Sequence, residues 1–360
     1  MSINLSLPLN NLGYGISGLN ILNAFEENDH CPALWPIGPI DVPQQYHKTI
    51  NLALTRAKLY NQTAPSLRIW HQFDLAQHVG KGLQCALPIF ELDKFNTTEI
   101  HHLNNQDILF VASSWAKQIV EDNGIKVKTC VTPFGVDTNI FQESAVNKDG
   151  PTVFLNVGKW EMRKGHDILV DAFAKAFEPG DNVRLVMHCL NPCIRDPDKA
   201  KTYNQQWARL YQSKLGDRVK IFNQRFATQN ELAKLMSMAD CGVFPARAEG
   251  WNMELAEMMA MGKQVIATNY SGHTEYCTHD NSLLIEVNDF EEAYDGLFFT
   301  SGIGRWASLG DSQVDQLVDH MRAVHKSKQE GNLKINQSGI DTFRKLSWNE
   351  CVKKIVEVPV

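Results

Sequence analysis

The feature that most constrains the fold is an alternation of short β-rich apolar runs with longer helix-like stretches along almost the whole chain. In the first half the strand candidates are INLSL, PALWPI, LRIWHQ, CALPIF, DILFVAS and VKTCVTPF. In the second half they are TVFLNVG, VRLVMHC, RVKIFN, CGVFPA, QVIAT and SLLIEV. Stretches between the latter, such as HDILVDAFAKAF and QNELAKLMSMA, carry apolar residues at three- and four-residue spacing, which indicates amphipathic helices. The alternation predicts an α/β protein whose parallel sheets are covered by helices on both faces.

The chain length and one polar stretch divide this pattern into two domains. A chain of 360 residues is longer than one hydrophobic core usually organises. The stretch QESAVNKDGP (142–151) separates the two sets of strands, so we predict a first domain at 1–145 and a second at 146–342. The last helix candidate, 348–356, has no strand after it. We expect this C-terminal segment, 343–360, to pack on the first domain.

Charge and cysteine content exclude several classes of protein. The net charge is −6 without any block of basic residues, which argues against nucleic acid as a partner. We see neither a signal peptide nor a run of about 18 apolar residues that could span a bilayer, although a peripheral membrane contact stays open. The eight cysteines form no C-x-x-C pair, and no second ligand cluster accompanies His188, Cys189 and Cys193. We therefore expect no metal centre and a reducing compartment, the cytoplasm.

The strongest local signal is the stretch PARAEGWNMELAEMMAMG. A buried strand ends before it, a short loop follows, and a helix is predicted to begin near Asn252 and to stop at Gly262, a typical C-terminal cap. Strand-end loops of open parallel sheets bind ligands, and helix N-termini favour phosphate. The backbone N–H groups expected to line this ligand site belong to Gly250, Trp251, Asn252 and Met253.

Two carboxylates flank this loop, Glu249 within it and Glu257 on the helix, with seven residues between them. About a turn and a half of helix separates Asn252 from Glu257, so the two acids are predicted to lie at different depths of one cleft. Carboxylates in such places accept hydrogen bonds from hydroxyl groups. We assign Glu249 to a sugar and Glu257 to a ribose. Taken alone, two glutamates at this spacing are commonplace, and a solvated helix face is the better explanation of them.

The run from Glu249 to Glu257, EGWNMELAE, resembles the retaining glycosyltransferases of the GT-B fold, in the family 4-like group that includes glycogen, sucrose and mannosyl-lipid synthases. Upstream, NVGKWEMRKGHDILVDAF resembles the phosphate-binding segment of the same group. The resemblance implies that Lys159 and Lys164 contact the diphosphate of a nucleotide-sugar donor. A departing nucleoside diphosphate gains negative charge, which paired cations stabilise.

Other segments carry the resemblance further, namely VTPFGVDTNIF, SGHTEYC and FRKLSWNECV. The resemblance implies two Rossmann-like domains facing a central cleft, with the acceptor on the first domain and the donor on the second. Arg225, which follows the strand RVKIFN, is assigned to the nucleotide base. Retention of the anomeric configuration is implied, as is a glycan, lipid or small-molecule acceptor.

Two N-terminal features bear on this interpretation. The loop Gly13-Tyr14-Gly15-Ile16-Ser17-Gly18 fits G-x-G-x-x-G, which with Asp41 leaves an NAD(P)-dependent oxidoreductase as an alternative. In the glycosyltransferase group a Gly-rich turn, here at Gly15, lets the backbone approach donor and acceptor. His71 follows a strand, and the resemblance implies that it contacts the donor sugar. Glu91 is a weaker acceptor-side candidate.

The only D-x-D triplet, Asp196-Pro197-Asp198, is a third feature that needs a decision. Two carboxylates at this spacing can hold Mn²⁺ or Mg²⁺ on a diphosphate, yet the triplet can also start the next helix. Because Lys159 and Lys164 supply two positive charges, we expect a metal-independent reaction with the nucleotide sugar as co-substrate and no cofactor. A nucleotide-sugar 2-epimerase and a non-catalytic sugar-nucleotide binder remain alternatives.

Overall fold

A computed structural model of the chain describes residues 2–358, whose regular structure consists of three β-sheets and helices that cover the two larger ones. The strands are β1 Ser2–Leu7, β2 Cys31–Pro36, β3 Ser66–Arg68, β4 Gln84–Ala86, β5 Ile108–Val111, β6 Lys128–Val131, β7 Thr152–Gly158, β8 Val183–Cys189, β9 Val219–Phe222, β10 Cys241–Phe244, β11 Gln264–Thr268, β12 Leu283–Ile285, β13 Phe290–Glu292 and β14 Arg305–Ala307. The helices are α1 Gly13–Glu27, α2 His47–Ala57, α3 Thr97–Asn104, α4 Ser114–Asp122, α5 His166–Ala176, α6 Pro197–Leu215, α7 Gln229–Ser237, α8 Met253–Ala260, α9 Asp311–Gln329, α10 Gln337–Lys345 and α11 Trp348–Glu357.

The first compact unit contains the residues up to Asp137 together with those from Lys345 on. Its six strands are all parallel and lie in the order β2-β1-β3-β4-β5-β6. Strand β5 is buried along its whole length, which is why its sequence, ILFV, is continuously apolar. The direction of strand order reverses between β1 and β3, and ligands of open α/β sheets bind at such a switch point.

Helix α11 packs within this first unit through its apolar side chains. The ring of Trp348 stacks on that of Phe134 with 5.3 Å between the centroids. Gly135 lies so close that a Cβ there would be 2.2 Å from the backbone nitrogen of Trp348, so only glycine fits. Trp348, Val352 and Ile355 are buried. The tail packs on α1 and beside Phe134 and Gly135.

The second compact unit is Thr138–Arg344. Its parallel sheet has the order β12-β11-β10-β7-β8-β9, so the switch point lies between β7 and β10. Strands β13 and β14 form a separate antiparallel pair that the sequence pattern did not predict.

Each of the twelve strand candidates overlaps a strand of one of the two parallel sheets, which confirms the predicted α/β class. Both sheets have the Rossmann-like arrangement of parallel strands, most of them joined in sequence by helices. Within residues 2–358, no helix combines the length and apolar character needed to cross a membrane.

Candidate active site

The loops that follow β7 and β10 meet at the switch point of the second sheet. Gly165, at the end of the first loop, has a φ of +69°, and a Cβ on it would lie 1.9 Å from the carbonyl oxygen of Pro245. The backbone N–H of Arg247 donates to the carbonyl oxygen of Arg163 at 2.6 Å. The two loops are therefore in direct contact and hold each other in place.

Five charged side chains from these loops form what we call the ionic cluster: Lys159, Glu161, Arg163, Lys164 and Glu249. Lys164 Nζ lies 2.6 Å from Glu249 Oε1, and Arg163 Nη1 lies 2.8 Å from Glu249 Oε2. Lys159 Nζ is 2.8 Å from Glu161 Oε1, and Arg163 Nη2 is 3.1 Å from Glu161 Oε2. Three cations against two carboxylates leave a net charge of +1 in the cluster.

Burial and charge act in opposite directions on the acids of the ionic cluster. Burial alone would raise the pKa of Glu249, but Arg163 and Lys164 outweigh it and lower the pKa to about 2. Burial likewise opposes ionisation of Glu161, whose pKa is held below its usual value by Arg163 and Lys159. The pKa of Lys159 is raised, because the nearby Glu161 carboxylate outweighs the effect of burial. Lys159, Glu161 and Glu249 are therefore charged at neutral pH.

The backbone of Glu249 is fixed by the turn that follows β11. Its N–H donates to Ser271 Oγ at 2.8 Å, and its carbonyl oxygen accepts from the N–H of Gly272 at 2.9 Å. A Cβ on Gly272 would lie 2.5 Å from the carbonyl oxygen of Gly250. The segment SGHTEYC, which the resemblance singled out, thus packs directly on the loop that carries Glu249.

Helix α8 begins next to Asn252 as predicted, and Asn252 caps it from a left-handed backbone conformation with φ of +77°. Its Oδ1 accepts from the N–H of Leu255 at 3.2 Å, and its Nδ2 lies 3.0 Å from His273 Nε2. Burial lowers the pKa of His273 to about 4, so the ring is neutral at pH 7. Nδ1 faces the carbonyl oxygen of Thr268 at 3.1 Å and carries the proton. Nε2 is therefore the acceptor for Asn252.

The remaining predicted donor-side residues lie on three elements of the second unit. Glu257 is on α8 and is buried, with 4% of its surface exposed. Trp251 is also buried and its ring lies 4.7 Å from that of Tyr276, while Met253 opens the helix. Arg225 is exposed on the loop after β9, two strands away from β7 in the sheet.

The segment predicted as a Gly-rich loop, 13–18, forms the first turns of helix α1. Gly15 follows β1 and His71 follows β3, the two strands on either side of the switch point of the first sheet. The rings of Tyr14 and His71 are 4.7 Å apart, so the structure brings the glycine-rich segment and the histidine together. A Cβ on Gly15 would lie within 2.4 Å of three atoms of Asn10. The absence of a side chain at this position is thus explained by the packing of Gly15 on Asn10, just before α1, and no dinucleotide is needed to account for it.

The carboxylate of Asp196 has a structural partner. Asp196 is the N-cap of α6, and its Oδ1 accepts from the N–H groups of Asp198 and Lys199, each at 3.0 Å. The triplet therefore starts the following helix. Over residues 2–358 no group of three or more His, Cys, Asp or Glu side chains is arranged to hold a metal ion.

Sequence reasoning missed several charged residues of this site. Glu161 and Arg163 complete the ionic cluster, and Arg247 braces the loop beneath it through paired contacts to Asp167 at 2.8 and 2.9 Å. Arg247 also lies 3.2 Å from Glu291 on β13. The motifs KWEMRK and PARAEG contain Glu161, Arg163 and Arg247. Asp167 and Glu291 lie outside both motifs. Only the charge alternation of the two motifs could have indicated ion pairs.

Comparison with known proteins agrees with the class that the fold and the site define. Residues 151–297, which contain the ionic cluster and α8, match the family described as Glycosyl transferases group 1. The two Rossmann-like halves match solved glycosyltransferases of the GT-B fold, which confirms the predicted fold.

Particular relatives are distant in sequence. An uncharacterized glycosyltransferase of Methanocaldococcus jannaschii is 25% identical over 245 residues, 66% of this chain and 54% of that protein. The chain thus spans about half the length of that curated relative. Sucrose-phosphate synthase from Thermosynechococcus elongatus has a TM-score of 0.69 at 16% identity, with 99% and 98% of the two chains covered. The Anabaena protein HepE, solved in complex with UDP and glucose, has a TM-score of 0.65 at 16% identity, with the same coverage.

Proposed function

We propose that this protein is a retaining glycosyltransferase that moves a hexose from a nucleoside-diphosphate sugar to a hydroxyl group of a glycan, lipid or small molecule. The observation that carries the proposal is the ionic cluster at the β7–β10 switch point, inside the segment that matches the glycosyl transferases group 1 family. Its cations suit a diphosphate, and its carboxylates suit hydroxyl groups.

The proposed chemistry assigns a role to each charged group. Lys159 and Lys164 bind the diphosphate and stabilise the charge that grows on it as the glycosidic bond breaks. Glu249, ionised at neutral pH, accepts hydrogen bonds from the sugar hydroxyls, and Glu257 does so from the ribose. A phosphate oxygen of the leaving group takes the proton of the attacking hydroxyl on the same face of the sugar. Such a step retains the configuration and needs no side-chain base.

The other predicted residues complete the proposal. The loop N–H groups from Gly250 to Met253 approach the phosphates at the start of α8. Arg225 contacts the nucleotide base. In the first unit Gly15 and His71 serve the acceptor side and the donor sugar. We propose that the enzyme acts in the cytoplasm and without a metal ion.

The test is a screen of nucleotide sugars, beginning with UDP-glucose because the structurally similar HepE was solved with UDP and glucose. Binding is followed by thermal shift, where a ligand at a hundred times its dissociation constant adds about 2.7 kcal/mol of stability. Release of the nucleoside diphosphate then identifies the donor, and proton NMR of the first product reads its anomeric configuration. Lys164→Ala should abolish turnover. An enzyme that binds NAD(P) and no nucleotide sugar would contradict the proposal, and an inverted product would contradict retention.

A further inference from the structure

Arg163 lies between the two carboxylates of the ionic cluster and is itself shielded from solvent. Its Nη1 is 2.8 Å from Glu249 Oε2 and its Nη2 is 3.1 Å from Glu161 Oε2. The Arg163 side chain is only 3% exposed, whereas those of Lys159 and Lys164 keep 37% and 11% of their surface exposed. The cluster therefore contains one buried cation, out of reach of a ligand, and two cations that a ligand can approach.

This arrangement matters when a ligand binds, because the two buried carboxylates must keep a cation if the lysines turn to the ligand. An arriving diphosphate attracts Lys159 and Lys164, each of which already pairs with a carboxylate. A buried carboxylate that loses all its cations is strongly destabilised. Because Arg163 contacts Glu161 and Glu249 together, both acids keep a cation when the lysines turn to the ligand.

We infer that Arg163 and Glu161 are positioning residues that set how tightly the site holds a nucleoside diphosphate. Arg163 keeps both carboxylates paired, and Glu161 competes with the ligand for Lys159. The competition keeps affinity for the released nucleoside diphosphate moderate, so the product can leave. This inference rests on the proposed function, since the anion is taken to be the diphosphate of the donor.

The inference makes opposite predictions for the two residues. Glu161→Gln raises the net charge of the cluster from +1 to +2, Arg163→Gln lowers it to 0, and the double variant restores +1. We expect Glu161→Gln to bind the diphosphate about tenfold more tightly and Arg163→Gln about tenfold more weakly. The double variant should lie within about threefold of the wild type, because the two changes act on the same charges. The corresponding monophosphate should respond less to each change.

Calorimetric titration measures these affinities, with whichever of UDP, GDP and ADP the wild-type protein binds most tightly and with its monophosphate. Asp315→Asn is the matched control, since it removes a carboxylate of equal charge from an exposed ion pair with Lys175 in the same unit. It should leave both affinities unchanged. With substrate, Glu161→Gln should lower KM and kcat together, because release of the product slows, and Glu161→Asp should restore both values.

Several outcomes would overturn the inference. Equal binding by Glu161→Gln and Asp315→Asn would show that Glu161 does not compete with the ligand. A double variant weaker than either single variant would show that Arg163 only supports the fold. If Arg163→Gln does not fold, the comparison of Glu161→Gln with Glu161→Asp decides alone. Absence of binding of all three diphosphates to the wild-type protein would refute the proposed function, and this inference with it.

Discussion

The replacement Glu249→Gln tests the electrostatics of the candidate site most directly. The pKa of Glu249 falls from the usual 4.5 to about 2 in the folded protein. One unit corresponds to 1.36 kcal/mol, so ionisation of Glu249 contributes about 3 kcal/mol to folding at neutral pH. Breaking a buried ion pair by removing one partner costs about 3–5 kcal/mol in other proteins, which agrees. The variant should therefore lose about 3 kcal/mol of its free energy of unfolding.

The pH dependence of this loss follows from the sign of the shift. A carboxyl group whose pKa is lowered by folding stabilises the protein above its unfolded pKa, and this contribution disappears as the pH falls through the folded pKa. The difference between wild type and Glu249→Gln should be complete at pH 7 and shrink from about pH 4.5 downwards. Urea denaturation at pH 7, 5 and 3.5 measures it, with Asp315→Asn as the control that should unfold like the wild type.

Ligand binding separates the electrostatic role of Glu249 from its structural role. With its charge removed, Lys164 and Arg163 keep their positive charges and the net charge of the cluster rises from +1 to +2. Glu249→Gln should thus bind the nucleoside diphosphate at least as tightly as the wild type while turnover falls. A loss of less than about 1 kcal/mol in unfolding free energy at pH 7 would refute the ion-pair reasoning. Loss of diphosphate binding would refute the assignment of Glu249 to the sugar.

Three further changes test other parts of the site. Glu257→Gln should weaken binding of the donor and of the free nucleoside diphosphate alike, by about tenfold for one lost charge-assisted hydrogen bond; unchanged titration of the diphosphate would contradict the ribose assignment. Gly165→Ala would place a Cβ 1.9 Å from a backbone oxygen at a φ of +69°, so the melting temperature and diphosphate affinity should both fall; a variant that melts and binds like wild type would show that the loop contact can relax freely. Turnover should persist in excess EDTA after dialysis, since the carboxylate of Asp196 caps a helix; activity that EDTA removes, that Mn²⁺ or Mg²⁺ restores and that Asp196→Asn lacks would overturn the metal-independent mechanism.

Local patterns predicted the elements of the fold because the features that end and start them are local. Asn252 caps α8 through contacts within three residues, and Gly262 follows the helix with φ of +76°, so both ends are visible in a short stretch of sequence. Some strands, such as β5 with ILFV and β10 with CGVF, are continuous apolar runs because both of their faces are buried. The same local patterns did not predict the β13–β14 pair. Its first strand, FEE, is exposed and carries two glutamates where an apolar run would be expected.

The contents of the site were only partly accessible to the same reasoning. Lys159, Lys164 and Glu249 were assigned through a resemblance, and the structure brings them together because β7 and β10 are neighbours in the sheet. Strand order is a property of the whole unit, which no short stretch reveals. Glu161 and Arg163 read as ordinary charged loop residues, since nothing in their spacing shows that both are buried.

The two lysines are therefore not two freely available positive charges, as the sequence alone suggests. In the structure Lys159 faces Glu161 and Lys164 faces Glu249, so the cluster presents a net charge of +1. A site built to receive a diphosphate must also exist without one, and partly buried lysines left unpaired would lose charge or destabilise the loop. Under the proposed function two carboxylates with a shared arginine solve this problem, because they pair with the lysines in the empty site and would stay paired with Arg163 in the filled one. A metal-independent reaction therefore requires that Lys159 and Lys164 exchange their carboxylate partners for the diphosphate; the presence of two lysines alone is not enough.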